Sequence, residues 1–312
     1  MKYRRLGKTG LPVSVVGLGT WQFGGEWGVD FDQPAVDAIF SAARETGINL
    51  IDTAECYGDH TSEAFIGNAI RRDRDKWIVA TKFGHVFHGY MNRTDERSAA
   101  DVTRQLEKSL IALRTDHVDL LQYHSVRDAE FLDDEVRDEL SRLVNSGKVR
   151  FVGNSIGNAG ATGGGHNLQA MRSTDFNVSV LQVIYNRLDQ KPAESGVFAT
   201  AVEQDLGVLA RVPLASGLLS GKYKPGATFG DRDVRSRHQQ ADRDAKLNQV
   251  EKIAETEVPA GTDLATWSLA WCLRHPAVTA VIPGCKSPGQ VRRNAAATGM
   301  VSDEHRQAVL VR

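Results

Sequence analysis

Residues Leu50–Glu63 read LIDTAECYGDHTSE. The stretch opens as the end of a short apolar run, INLIDTA, of the kind that forms a buried strand. Asp52, Cys56 and Tyr57 follow closely, with Gly58 directly after the phenol. An amphipathic segment, Ser62–Arg72, continues from there as a helix. A strand, a polar loop and a helix in that order make one unit of a parallel sheet, so the fold turns on how often the unit recurs.

Upstream, SVVGLGTW precedes the helical Ala35–Thr46. Downstream, WIVATKF precedes Ala99–Leu113, VDLLQYH precedes Asp134–Ser146, and VRFVGNS precedes Asn167–Arg172. VSVLQVIYN precedes Gly196–Asp205, GVLARVPL follows, and AVIPG closes the series after the helical Thr262–His275. Eight strands alternating with helices in a chain of 312 residues predict an α/β fold, a (β/α)8 TIM barrel in place of an open doubly wound sheet. Within Ala99–Leu113, Val102, Leu106, Leu110 and Leu113 recur at spacings of three and four and give one core-facing stripe. Gly147 and Gly207 follow predicted helix ends and suit a positive-φ cap. The start, YRRLGKTGLPVSVVG, predicts an N-terminal β-hairpin around Lys8–Gly10 that closes the barrel bottom. Gly226–Lys246 mixes both charge signs and reads as a solvated loop and helix. With no internal repeat or linker, the expected organisation is one barrel domain over residues 1–312.

A hydrophobic fraction of 41% beside 25% charged residues is that of a globular chain with a large core. The formal net charge of −1 gives no general pull toward nucleic acid or an anionic membrane, and neither is expected as a partner. Met1–Thr20 is broken by Gly7, Gly10 and Pro12, so no secretory signal is expected, and no apolar run approaches the roughly 20 residues of a spanning helix. Cys56, Cys272 and Cys285 lack metal-like spacing and read as reduced thiols of a cytoplasmic protein. His85 and His88, the closely spaced histidines, lie in a segment that reads as a loop, and no metal site is expected.

Barrel enzymes place their chemistry at the C-terminal ends of strands. Those ends carry Asp52 after the second strand, Lys82 after the third and His124 after the fourth, with Tyr57 in the loop after Asp52. Singly, each has a plain structural use: a turn cap, a snorkelling lysine, a satisfied core imidazole, a half-buried aromatic. On successive strand ends they meet at one mouth.

With these residues in view, the chain resembles the aldo-keto reductases, in the branch related to potassium-channel β subunits. The matching segments are GLGTWQFGG, IDTAECYG, ATKFG, QLEKSLIALRTDHVDLLQYH, GKVRFVGNS, LQVIYN, PLASGLLSGKY and VIPGCKSPGQVRRN, so the likeness spans essentially the whole chain. It implies an NADPH-dependent oxidoreductase that interconverts a small-molecule carbonyl, aldehyde or ketone, with its alcohol. Asp52, Tyr57, Lys82 and His124 would be catalytic. Hydride addition builds negative charge on the carbonyl oxygen, which needs a proton donor. Tyr57 would supply that proton, Lys82 would lower the phenol pKa by favouring phenolate, Asp52 would hold Lys82 charged, and His124 would orient the carbonyl.

No G-x-G-x-x-G follows the first strand, so a Rossmann-type site is not expected. By resemblance, Ser155 and Gln182 would hold the nicotinamide carboxamide, with Gly19, Thr20, Trp21 and Asp52 beside the nucleoside. The segment Pro213–Lys222, through Pro213, Leu214, Gly217, Leu218, Ser220 and Lys222, would wrap the pyrophosphate. Gly284, Lys286, Gln290 and Asn294 would bind the adenosine end, with Lys286 and Gln290 at the 2′-phosphate. Three residues depart from the family pattern. Ile156 replaces the usual Asn, leaving its hydrogen bond to Asn154 or Asn158. Arg211 stands where an aromatic usually stacks on the nicotinamide, a contact a planar guanidinium can also make. Arg293 replaces an acidic residue and favours NADPH over NADH. Trp21, Phe23, Phe87 and Tyr90 are expected to line the substrate pocket, and ATGGGHN (Ala161–Asn167) to be a top-face loop, not a phosphate loop. Two other readings are a regulatory NADP(H)-sensing protein with little turnover and an aldolase with Lys82 as Schiff-base lysine.

Overall fold

The computed structural model describes residues 1–157 and 166–309. Its N-terminal hairpin pairs β1 (Tyr3–Arg5) antiparallel with β2 (Pro12–Ser14), and the turn between them is a short 3-10 helix, Gly7–Thr9. Eight parallel strands follow: β3 (Leu18–Gly19), β4 (Leu50–Asp52), β5 (Ile78–Phe83), then, past a side hairpin of β6 (His85–Gly89) and β7 (Asn92–Asp95), β8 (Val118–His124), β9 (Val149–Ser155), β10 (Val178–Ile184), β11 (Gly207–Arg211) and β12 (Ala280–Val281). Each pairs with its neighbour in that order, and parallel bridges Val16–Val281 and Gly19–Gly284 join the last strand to the first. The result is the (β/α)8 barrel that the eight apolar runs predict.

Side chains on a strand alternate between faces, and here the alternation sorts core from site. Leu50, Ala80, Leu120, Val180, Leu209 and Ala280 form one buried cluster inside the barrel. Leu6, Leu11 and Val13 of the hairpin belong to that cluster, so the hairpin plugs the bottom. The intervening Ile51, Val79, Leu121, Leu181, Val208 and Val281 face outward and pack with the helices. On the helix side, Val102, Leu106, Leu110 and Leu113 are all buried as their spacing predicts. Burying a leucine fully contributes about 1.5–3 kcal/mol, which is why such a stripe fixes the roll of the helix. That helix spans Ala99–Leu113 and starts at a reciprocal cap between Ser98 and Asp101.

Three local expectations are corrected, and one strand is added. Gly207 is not a helix cap: it opens β11, where a Cβ would lie 2.6 Å from Leu6, and Asp205 takes the positive φ of 52°. His85 and His88 lie in the β6–β7 hairpin, since His85, Val86 and Phe87 find antiparallel partners in Asp95, Thr94 and Arg93. Gly226–Lys246 is not simply solvated, because Val234, Arg235 and Arg243 within it are buried. A final strand, β13 (Ala308–Val309), pairs with β1 and extends the plug. Among the described residues, no helix is long and apolar enough to cross a membrane.

Candidate active site

Two residues beyond five of the six apolar inner-layer positions, the same face of the strand carries a polar side chain, and Ile282 beyond Ala280 is the exception. Leu50 leads to Asp52, Ala80 to Lys82, Leu120 to Gln122 and then His124, Val180 to Gln182, and Leu209 to Arg211. Ser155 joins them, as the residue paired with Gln182 in the sheet. Period-two alternation therefore stacks a polar layer directly above the apolar one.

Asp52 is the hub. Its Oδ1 accepts from Lys82 Nζ at 2.8 Å, and its Oδ2 accepts from Gln182 Nε2 at 2.6 Å and Gln122 Nε2 at 3.2 Å. Lys82 also donates to the Thr53 carbonyl at 2.6 Å and reaches the Tyr57 hydroxyl at 3.3 Å. Burial opposes charge on Lys82, but Asp52 and then Tyr57 outweigh it, and its pKa stands above the ordinary lysine value. A charged ammonium with three acceptors cannot serve as a Schiff-base amine, and the aldolase reading is set aside. Lys82 lies behind the phenol, 1% exposed and not on the cavity wall.

Tyr57 reaches that ammonium because its loop is tightly folded. Gly58, Asp59 and His60 take φ of 69°, 51° and 62° in succession. At Gly58 a Cβ would stand 2.8 Å from the Gly24 carbonyl oxygen, so the close approach of the two loops requires glycine. Burial raises the Tyr57 phenol to about 12, and the Lys82 ammonium opposes without outweighing it. The expectation of a lowered phenol is thus corrected: desolvation of the phenolate is the larger effect.

His124 closes the site on the other side, its ring 6.1 Å from that of Tyr57. Burial pushes its imidazole down to about 3 against the pull of the Glu55 carboxylate, so the ring is neutral at pH 7. Its Nδ1 faces Cys56 Sγ at 3.8 Å and Glu55 at 3.5 Å, which leaves Nε2 as the free ring nitrogen. Cys56 is buried and its thiol pKa is raised, chiefly by burial, so it is no reactive nucleophile.

A cavity of about 690 Å³ opens over this layer. Of the expected residues, Gly19, Thr20, Trp21, Asp52, Tyr57 and His124 line it, as do Ser155, Gln182, Arg211, Pro213 and Leu214. Gly217, Ser220, Lys222, Gly284, Lys286, Gln290 and Asn294 continue the wall toward the far end. Leu218 does not: it packs with Leu219, Leu247 and Val250. Phe23, Phe87 and Tyr90 do not either. Phe23 is buried against Phe31, and the three border a separate hollow of about 310 Å³ together with Phe65. Asn154 cannot replace the missing Asn in the cavity, since it is fully buried and donates to Gln169 Oε1 at 2.9 Å. Asn158 and residues 161–165 of ATGGGHN lie outside the described residues.

The loop after β11 forms one wall at a conformational cost. Val212, Ala215, Ser216 and Gly217 have φ of 54°, 48°, 57° and 89°. A β-branched residue at positive φ is an outlier that persists only where surroundings enforce it, here partly through the Asn186 side chain, which donates to the Val212 carbonyl at 3.1 Å.

Several residues on the wall or behind it escape a reading by strand ends. Glu26, 1% exposed, accepts from Trp21 Nε1 at 2.6 Å and from the Met91 N–H at 2.9 Å, and pairs with Arg93. That carboxylate ties the side hairpin to the first loop and places Met91 and Arg93 at the mouth. Arg235 comes from the Gly226–Lys246 segment, paired with Asp233 at 2.6 Å and lying 4.0 Å over the Phe229 ring. Only Gln122 had a signal in the sequence, its period-two spacing from Leu120. Among the described residues one metal-type grouping exists, Glu55, Cys56 and His124, and it is part of the site just described.

A closed parallel barrel with Asp52, Lys82 and Tyr57 in contact and a histidine beside them at its mouth is the frame in which known proteins are compared. The chain belongs to the Aldo/keto reductase family, whose profile matches residues 15–308. It is similar to aldo-keto reductase YhdN of Bacillus subtilis (strain 168), at 30% identity over 96% of this chain and 89% of that protein. Among solved structures, it is similar to the holo form of aldo-keto reductase AKR11C1 from Bacillus halodurans, with a TM-score of 0.78, 27% identity and coverage of 98% and 100% of the two chains. The glycerol dehydrogenase AKR11B4 from Gluconobacter oxydans gives 0.77 at 28% identity, covering 97% of this chain and 92% of that one.

Proposed function

We propose that this oxidoreductase reduces an aldehyde or ketone with NADPH, using Tyr57 as proton donor. The observation that carries the reading is the Tyr57 hydroxyl 3.3 Å from a Lys82 ammonium that Asp52 holds at 2.8 Å, on the wall of a cavity shared with His124. With the phenol at about 12, Tyr57 is protonated at neutral pH, the form needed to give a proton to a developing alkoxide. As the proton leaves, the adjacent ammonium stabilises the phenolate. His124 Nδ1 faces both the Cys56 thiol and the Glu55 carboxylate, and Nε2, clear of both, would meet the carbonyl oxygen in the tautomer that carries its proton there.

The wall fits a phosphorylated dinucleotide. Lys222, Lys286 and Arg293 line its far end, and none is in an ion pair among the described residues. The Ser287–Pro288 helix start lies beside Lys286, where anions are favoured. At the near end, Ser155 Oγ and Gln182 are joined at 3.1 Å and are both buried on the wall, suited to a carboxamide. When bound, the reduced nicotinamide supplies the hydride to the carbonyl carbon. These cations without a carboxylate partner, Lys286 among them with its Nζ on the Trp27 carbonyl at 2.6 Å, favour the 2′-phosphate of NADPH over NADH, and the buried, unpaired thiols suit a cytoplasmic setting. A panel of aldehydes, ketones and sugars followed by NADPH oxidation tests the reading. Turnover of at least one carbonyl with a lower KM for NADPH than for NADH is expected; binding of cofactor without turnover of any would favour a cofactor-sensing protein.

A further inference from the structure

Among the described residues, Arg211 is a charge with no counter-charge in contact. It ends β11 on the inward face, in the polar layer that carries Asp52 and Gln182. Its Nη2 donates to the Ile156 carbonyl at 3.0 Å, while its buried Nε has no partner among the described residues. Among the described residues no carboxylate lies within ion-pair distance, although the Tyr57 oxygen, Asp52 and Asp189 are near enough to favour its charge. Burial lowers its pKa from the usual arginine value, yet a guanidinium remains protonated at any working pH. The side chain lines the same cavity as Tyr57, His124, Ser155 and Gln182.

This placement matters for a redox reaction because the two forms of a nicotinamide differ in charge. The reduced ring is neutral, and the oxidised ring is a pyridinium cation. The hydride must reach a carbonyl held by Tyr57 and His124, so the ring works within the field of Arg211. Two positive charges in a site of low effective dielectric repel appreciably at separations of several ångströms. We infer that Arg211 selects the oxidation state of the cofactor that the site holds, disfavouring the bound oxidised form and so favouring the loading of NADPH and the release of NADP+. Electron flow is unchanged: the C–H pair leaves the reduced ring for the carbonyl carbon, the proton leaves Tyr57 for the oxygen, and Arg211 changes only how firmly each cofactor form is held. Tethering to Ile156 on the end of a barrel strand keeps the guanidinium in place during both states.

The inference rests on the nicotinamide reading above, and one titration separates their failures. NADPH and NADP+ are titrated into the full chain by quenching of intrinsic tryptophan fluorescence, to which Trp21 and Trp27 on the wall contribute. The wild type is expected to bind NADPH at least about tenfold more tightly than NADP+. In Arg211→Met the ratio should fall about tenfold, mainly through tighter NADP+, and in the charge-keeping Arg211→Lys it should persist. A wild-type ratio near one overturns the inference without any variant, as does an unchanged ratio in a folded Arg211→Met. A ratio unchanged in Arg211→Met together with a raised KM confined to carboxylate-bearing carbonyls would make Arg211 a substrate anchor instead. If neither cofactor binds the wild type, the nicotinamide reading itself fails.

Discussion

Replacing His124 with Asn changes how the stability of the protein responds to acid. In the wild type, burial holds the folded imidazole at about 3, against an unfolded value of about 6.5. Between those values the unfolded chain binds a proton that the folded one refuses. The contribution is therefore complete above about pH 6.5 and is lost progressively as pH falls toward about 3. Each pH unit in that window removes about 1.4 kcal/mol. From about pH 6.5 to about 4.5 the loss is roughly 2–3 kcal/mol, and stopping there keeps the window above the midpoint of an ordinary glutamate at about 4.3. The His124 side chain is 15% exposed, so little of this is screened by solvent. The assay is urea denaturation of wild type and His124→Asn at intervals from pH 7.5 to 4.5. His275, His238 and His305, also held below the usual histidine value, are common to both proteins and drop out, so the difference reports His124 together with its neighbours His85 and Glu55. The wild type should lose roughly 2–3 kcal/mol more than the variant across the window. Parallel curves would refute the reasoning, because they would mean that the folded ring takes up its proton as freely as the unfolded one.

Other changes probe the same site. Tyr57→Phe should cut carbonyl turnover by about 10²–10⁴-fold while cofactor titrations change little, and near-normal kcat would remove Tyr57 as the acid. Lys82→Met leaves the Asp52 carboxylate buried without its cation and should cost about 3–5 kcal/mol in denaturant unfolding; a loss below about 1 kcal/mol would show that the pair is not dry. Gly58→Ala forces a side chain into a φ of 69° and against the Gly24 carbonyl, so a loss of about 1–2 kcal/mol or more is expected, along with lower kcat as Tyr57 shifts. Equal thermal stability and equal kcat in that variant would count against the loop contact.

Much of the fold is legible in the chain because it depends on local patterns. The apolar runs give the strands, the stripe of Ala99–Leu113 gives its helix within the observed ends, and their alternation gives the barrel. Local pattern fails where a distant segment decides. Gly207 looks like a helix cap until Leu6 of the plug is seen pressed against it. His85–Asp95 looks like a loop until its two halves pair. The site divides the same way. Asp52, Lys82, His124 and Tyr57 stand out at strand ends, whereas Arg235, Glu26 and Arg93 come from segments whose only claim on the cavity is tertiary. Phe23, Phe87 and Tyr90 show the converse, aromatics of the right loops that turn into a neighbouring hollow.

Period-two alternation and strand-end position are properties of the chain itself, and they determine which residues form the polar layer above the barrel core. What tertiary structure alone decides is the electrostatic state of that layer. The charge on Lys82, the protonated phenol of Tyr57, the neutral ring of His124 and the uncompensated guanidinium of Arg211 all follow from how much water each group loses and which partners it gains. Desolvation and contact distance are set by chain segments far apart in sequence, so no local pattern carries them.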